Sequence, residues 1–176
     1  MLERNRNIQN PDANSLNNTG DNNNFGDTYI FSQKSLNRTY LYDFCAKFIE
    51  LEDGDIEYST EVPSDIEEKM DFNEIVIYKD IFIECDYYFD DVEAILREFP
   101  RRQRILTNIN TKYKKFKGFN VWKTKDELCE QIFDSLSETV ANDHNSINIM
   151  KEDVEIAIHS LMYYAFVKCK ILDPLN

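Results

Sequence analysis

Apolar side chains recur at intervals of three and four residues over most of the chain beyond residue 39. This spacing places them on one face of an α-helix. It predicts helices over residues 40–51, 64–70, 74–99, 101–117, 124–140 and 151–172. The predicted fold class is therefore mainly α, a helical bundle of five to six helices. The last predicted helix is apolar over much of its circumference, which is typical of a helix at the centre of a bundle.

Local signals mark several of the helix ends. Ser64 with Glu67, and Thr124 with Glu127, have the spacing of capping boxes, in which side chains satisfy the free amides of a helix N-terminus. Gly118 is predicted to stop the helix at residues 101–117, because glycine is the favoured residue just beyond a helix C-terminus. The sequence thus predicts both the helices and most of their boundaries.

The longest periodic segment, residues 74–99, has apolar positions spaced by three and four residues in strict alternation. This is a 3.5-residue repeat sustained over more than three heptads. The positions are Ile75, Tyr78, Phe82, Cys85, Phe89, Val92, Leu96 and Phe99. Two interpretations stay open at this point: a coiled-coil seam that makes the chain a homo-oligomer, or a long core helix inside one domain. The aromatic residues in the repeat favour the core helix.

The N-terminal residues have a different composition from the rest. Nine of the first 28 residues are Asn, and the run at 17–27 consists almost entirely of Asn, Asp, Gly and Thr. Such residues favour turns and supply too little apolar surface for a core. We therefore divide the chain into an Asn-rich leader at residues 1–34, which is disordered or forms turns and a short strand, and a helical interaction domain at residues 35–176.

The chain has 176 residues and a net charge of -13, and its charged residues are distributed unevenly along the sequence. Residues 43–98, the acidic region, hold nineteen Asp and Glu against four Lys and Arg. Residues 101–125, the basic segment, hold nine of the twenty Lys and Arg and no Asp or Glu. The net charge opposes general binding to nucleic acid or anionic lipid, so the basic segment is the place where an anionic partner could dock.

The candidate partner-binding or phosphate-binding residues are the cations of the helix predicted at residues 101–117. They are Arg101, Arg102, Arg104, Lys112, Lys114, Lys115 and Lys117. Three interpretations are open: these cations neutralise the acidic region within or between subunits, dock an acidic protein partner, or contact nucleic acid. Aromatic residues are interleaved with them, as in single-strand binding proteins, but Tyr113 and Phe116 also fall on the apolar stripe, where packing explains them.

The sequence gives little evidence of a catalytic site or a metal site. His144 lies in a polar connection, and His159 lies inside the last predicted helix, where we expect it to be packed. No glycine-rich phosphate loop or metal-ligand spacing is present, and the four cysteines are scattered as in a reducing compartment. No signal peptide or membrane span is recognised. We therefore expect a cytoplasmic protein that is not an enzyme and has no cofactor and no metal.

The segment from Tyr164 to Pro174, YAFVKCKILDP, resembles the closing helix of a C-terminal domain family of bacterial ABC-three-component conflict systems. Further segments are similar in the same order, and the resemblance covers about residues 39–176. They are Leu41–Phe44, Ile66–Asn73, Arg104–Ile109, Lys112–Lys114 and Ile149–Val154. The Asn-rich leader also looks like segments that precede domains in these systems.

The resemblance implies a non-catalytic module that couples an effector to an SMC-like or Rad50-like ABC ATPase in anti-phage defence. Members usually follow an effector domain, which this sequence lacks, so we expect an adaptor or sensor subunit whose partner is the ATPase or the effector. The alternative is a nucleic-acid-binding protein that uses the basic segment. A third hypothesis is an acidic inhibitor that mimics DNA with residues 43–98.

Overall fold

The structure is a computed structural model that describes residues 38–51 and 62–175. These residues form seven α-helices, with 3₁₀ turns at Asp86–Tyr88 and Ser146–Asn148. The helices are α1 (Tyr40–Ile49), α2 (Ser64–Phe72), α3 (Ile77–Cys85), α4 (Phe89–Glu98), α5 (Arg102–Phe119), α6 (Lys125–Ala141) and α7 (Lys151–Val167). The described residues contain no strand, and the predicted mainly α-helical class is confirmed. The predicted leader at residues 1–34 lies outside the described residues.

Helix α7 is the centre of the bundle. It packs against α1, α3, α4 and α6, and every residue from Ser160 to Phe166 is buried. A helix that is enclosed on all sides needs apolar residues around its whole circumference. The prediction of a central last helix is therefore confirmed.

The segment predicted as one helix over residues 74–99 consists of α3 and α4, joined by the 3₁₀ turn. The Tyr163 hydroxyl of α7 donates a hydrogen bond to Asp86 in this turn, and the Tyr88 ring lies 5.1 Å from that of Phe48 in α1. The break lets both halves pack on α7, and Phe82 and Val92 are fully buried there. The heptad residues are used inside the domain, which supports the core interpretation over a coiled-coil seam.

Helix α7 ends at Val167, five residues earlier than predicted. Cys169 takes a left-handed backbone conformation, with φ of 55°. The Lys170 amide donates to the Ala165 carbonyl at 2.8 Å, which is the bond pattern of a Schellman motif. Ile171 beyond it is buried without being helical. The prediction of a helix to residue 172 was wrong because apolar residues of the irregular C-terminal segment continue the helical spacing by chance.

Three further helix ends carried a predicted signal, and those at Ser64 and Gly118 differ from the prediction. The Thr124 half of the second capping box is confirmed, since the Thr124 hydroxyl accepts a hydrogen bond from the Glu127 amide at 3.2 Å. The Glu127 carboxylate accepts from the Lys123 amide at 2.6 Å instead of from the Thr124 amide. At α2, Pro63 occupies the N-cap position and no side chain caps the helix, so the Ser64 capping box is wrong. Gly118 lies inside α5, which continues to Phe119, so the predicted glycine stop is also wrong.

Candidate interaction surface

Helix α5 carries most of the basic segment and is amphipathic. Its inner face buries Ile105, Leu106, Ile109 and Tyr113, and the helix packs mainly on α6. Its outer face is exposed and holds no carboxylate. That face consists of Arg104, Thr107, Asn108, Thr111, Lys114, Lys115 and Gly118. Because the inner face of α5 is buried in the domain, the outer face is exposed to solvent, and all of its charged residues are cations.

Lys112 does not belong to this outer face. Its ammonium group donates to the Ser135 hydroxyl at 2.6 Å and lies 3.4 Å from that of Thr139, both in α6. Burial of the ammonium group lowers the pKa of Lys112. Lys112 thus joins two helices of the domain and is not placed to bind a partner.

Lys117 is also used within the domain. Its ammonium group pairs with Asp173 at 2.7 Å, and Lys125 reaches the other oxygen of the same carboxylate at 3.2 Å. The hydrogen bond between Lys117 and Asp173 lowers the pKa of the carboxyl group and raises that of the ammonium group. Two cations of the basic segment therefore hold the C-terminal segment against the bundle.

Asn73 completes this attachment, and we call Asn73, Lys117, Lys125 and Asp173 the C-terminal latch. The Asn73 side chain is fully buried. Its amide nitrogen donates to the carbonyls of Lys69 at 2.9 Å and Asp173 at 2.8 Å. Its amide oxygen accepts from the Asp173 amide at 2.9 Å and from Lys125 at 3.0 Å. Segments that carried the family resemblance, around residues 73 and 173, thus meet in space as a structural element.

We expect the latch to weaken in acid through Asp173. A carboxyl group whose folded pKa is lowered contributes stability above its unfolded pKa and loses it as the pH falls through the folded pKa. The pKa of Asp173 is lowered from 3.8, so the difference in unfolding free energy between the wild type and Asp173→Asn should be constant near neutral pH. It should shrink as the pH falls below about 4. Urea unfolding of both proteins over this pH range measures it, and a difference that grows on acidification would contradict the assignment.

The remaining candidate residues are exposed and unpaired within the described part of the chain. Arg101, Arg102 and Arg104 start α5, and Lys114 and Lys115 lie near its end. No carboxylate of residues 38–51 or 62–175 forms an ion pair with any of them. Cations at a helix N-terminus also oppose the helix dipole, at a cost of a few tenths of a kcal/mol each. Folding alone therefore gives no reason for the arginines to be there.

The described carboxylates of the acidic region form their ion pairs with cations outside the basic segment. Its carboxylates pair with cations of the region itself, with Arg38 and with Lys168 just beyond α7. These pairs are Arg38–Asp43, Lys47–Glu98, Lys79–Glu67, Lys79–Asp71, Arg97–Glu93 and Lys168–Glu93. Across the described residues, no ion pair joins the basic segment to the acidic region.

Two aromatic residues of the basic segment have the packing role that their spacing predicted. Tyr113 is buried and Phe116 is half-buried against the core. Phe119 differs, since 87% of its surface is exposed, and Val121 in the following loop is 90% exposed. The spacing of apolar residues does not predict this exposed pair. The one sign of it in the sequence is Phe119, an aromatic residue that lies just beyond the last residue of the apolar stripe, Phe116.

His159 and two of the cysteine thiols lie in packed surroundings. His159 stacks on Phe133 with ring centroids 4.3 Å apart, as expected for a packed histidine, and burial lowers its pKa. Burial also raises the pKa of the Cys45 and Cys85 thiols to about 12, so neither forms a thiolate near neutral pH. Among residues 38–51 and 62–175, no helix has both the length and the apolar composition of a membrane span.

Comparison with known proteins identifies the family. Neither the curated proteins nor the solved structures contain a significant match to the chain. The model of C-terminal domain 10 of the ABC-three component (ABC-3C) systems matches residues 47–173, from the second half of α1 to the C-terminal latch. The resemblance predicted from the sequence is confirmed. The chain therefore belongs to the C-terminal domain 10 family and is a component of the ABC-three component anti-phage defence systems.

Proposed function

We propose that this protein is a non-catalytic adaptor or sensor subunit that binds a protein partner of its own defence system through the N-terminal end and the outer face of α5. The partner is the SMC-like or Rad50-like ABC ATPase or the effector. The observation that carries this proposal is the group of exposed cations without carboxylate partners in the described residues: Arg101, Arg102, Arg104, Lys114 and Lys115.

The chemistry of these residues suits an acidic protein surface. Arginine binds carboxylates in a bidentate manner and is weakly hydrated, which makes it a favoured residue at protein interfaces. Complementary charge mainly raises the association rate and fixes orientation. A partner with carboxylates opposite Arg102 and Arg104 would also interact favourably with the N-terminus of α5, where the arginines alone are unfavourably placed.

Purification of the protein with the other components of its system tests the proposal. We expect a stable complex on size-exclusion chromatography with light scattering, and we expect Arg101/Arg102/Arg104→Glu to weaken it at least tenfold, or about 1.4 kcal/mol. Lys151→Glu is the control, because the Lys151 side chain is 85% exposed and far along the chain from the basic segment. Absence of a complex with the wild-type protein would contradict the adaptor role.

Nucleic acid binding is the second candidate, favoured by the same arginines and by the exposed ring of Phe119. A gel shift with DNA and RNA separates the two candidates. Retention that falls steeply with salt and is lost in the arginine variant would replace the adaptor proposal with nucleic-acid recognition.

A further inference from the structure

The loop between α5 and α6 presents apolar side chains to solvent. Phe119 and Val121 are 87% and 90% exposed, although both are large hydrophobic residues. In a monomer, exposed apolar side chains next to one another often mark a binding surface. Here they lie at the end of the same helix that carries the unpaired cations.

The loop is held in place by hydrogen bonds to α6. Gln131 braces it from both sides: its side-chain oxygen accepts from the Asn120 amide group at 2.8 Å, and its nitrogen donates to the Val121 carbonyl at 3.1 Å. The Lys123 backbone amide donates to Glu127 at 2.6 Å. A surface that is fixed before binding loses little conformational entropy when a partner docks.

The cations around this loop are free of carboxylate partners in the described residues. Lys114, Lys115 and Lys123 are exposed. The acidic residues that follow the loop in the sequence accept hydrogen bonds from backbone amides. Asp126 accepts from the Tyr78 amide of α3 at 2.8 Å and from the Val76 amide just before α3 at 3.0 Å, and Glu127 accepts from the Lys123 amide. The result is an exposed apolar pair with three exposed lysines close to it in the sequence, none of which forms an ion pair with a described residue.

We infer that Phe119, Val121, Lys114, Lys115 and Lys123, here called the tip surface, dock a short acidic segment of a protein partner that carries apolar side chains between its carboxylates. This inference rests on the proposed adaptor function and specifies where the partner binds and what chemistry it presents. Apolar side chains of the segment cover Phe119 and Val121, and its carboxylates pair with the lysines.

Two features favour a protein segment over nucleic acid. Val121 is aliphatic and offers no ring on which a base could stack, whereas strand-binding surfaces use successive aromatic residues. In addition, a long polyanion would meet the field of a chain with net charge -13 over its whole length. A short acidic segment meets mainly the local charges, because salt screens interactions beyond about 10 Å.

Binding measurements with the purified other components of the same ABC-three component system test the tip surface. We expect Phe119→Ser/Val121→Ser and Lys114→Glu/Lys115→Glu each to weaken the complex at least about tenfold. The lysine variant should also reduce the salt dependence of binding. Thermal unfolding of both variants should match the wild type, because the substituted side chains are exposed.

Ile147→Ser is the matched apolar control, since Ile147 is 85% exposed in the connection between α6 and α7, and Lys151→Glu is the charge control. A wild-type protein that binds neither component defeats the proposed function and this inference with it. Wild-type binding that both tip variants retain defeats this inference alone. Binding of single-stranded DNA or RNA oligonucleotides that both tip variants lose would show that the partner class is wrong.

Discussion

Phe82→Ala is expected to lower the free energy of unfolding by about 3–5 kcal/mol. Phe82 is fully buried, and its ring lies 5.4–5.7 Å from those of Tyr78, Tyr163 and Phe166. Truncation removes the aromatic contacts between α3 and α7 and leaves a cavity that the central helix cannot fill by moving, since it is packed on all sides. Urea unfolding followed by circular dichroism gives the change from the shift in midpoint at constant slope.

Phe119→Ala is the matched control for this measurement. The residue type and the substitution are the same, but Phe119 is exposed, so the expected change lies within about 0.5 kcal/mol. Equal losses from the two variants would mean that Phe119 is packed in solution, and this would remove the basis of the tip surface as well.

Asn73→Ala is expected to lower the unfolding free energy by about 2–4 kcal/mol, because several buried polar groups lose their partner at once. The carbonyls of Lys69 and Asp173 and the Asp173 amide are left without the hydrogen bonds that Asn73 supplies. The loss should be local as well as global. Hydrogen exchange at the amides of Ile171 and Leu172 should accelerate in the variant, because these residues depend on the C-terminal latch for their burial.

Asn108→Ala provides the comparison for the latch. Asn108 lies on the outer face of α5, and its side chain makes no hydrogen bond with a described residue. The change should be neutral or slightly stabilising, since alanine has the higher helix propensity. If Asn73→Ala were equally neutral, the C-terminal segment would be held by its apolar residues alone.

For helix α5, the periodicity of apolar residues predicts the helix and its buried face but not its end. The spacing of Ile105, Ile109 and Tyr113 is a local property, and it identified both the helix and its buried face. Helix ends were harder to predict, because they depend on competition between nearly equal local signals. Gly118 continues the helix, and Cys169 takes the left-handed conformation that glycine would take more easily.

The candidate site was predicted as a set of seven cations, and the structure divides that set. Lys112 and Lys117 are used in contacts within the domain, whereas the three arginines, Lys114 and Lys115 face solvent. No pattern in the sequence distinguishes Lys114 from Lys117, since both are lysines near the end of one helix. Their difference comes from Asp173, which lies 56 residues from Lys117 along the chain.

The sequence by itself determined the helical class, the family, the apolar faces and the separation of charge, because these depend on composition and on spacings of a few residues. The tertiary structure alone decided which charges are used in folding and which stay available for a partner. Pairing and burial depend on distances between residues that are far apart in the chain, such as Asn73 and Asp173 at a separation of 100 residues. Packing sets those distances, and local sequence does not encode them.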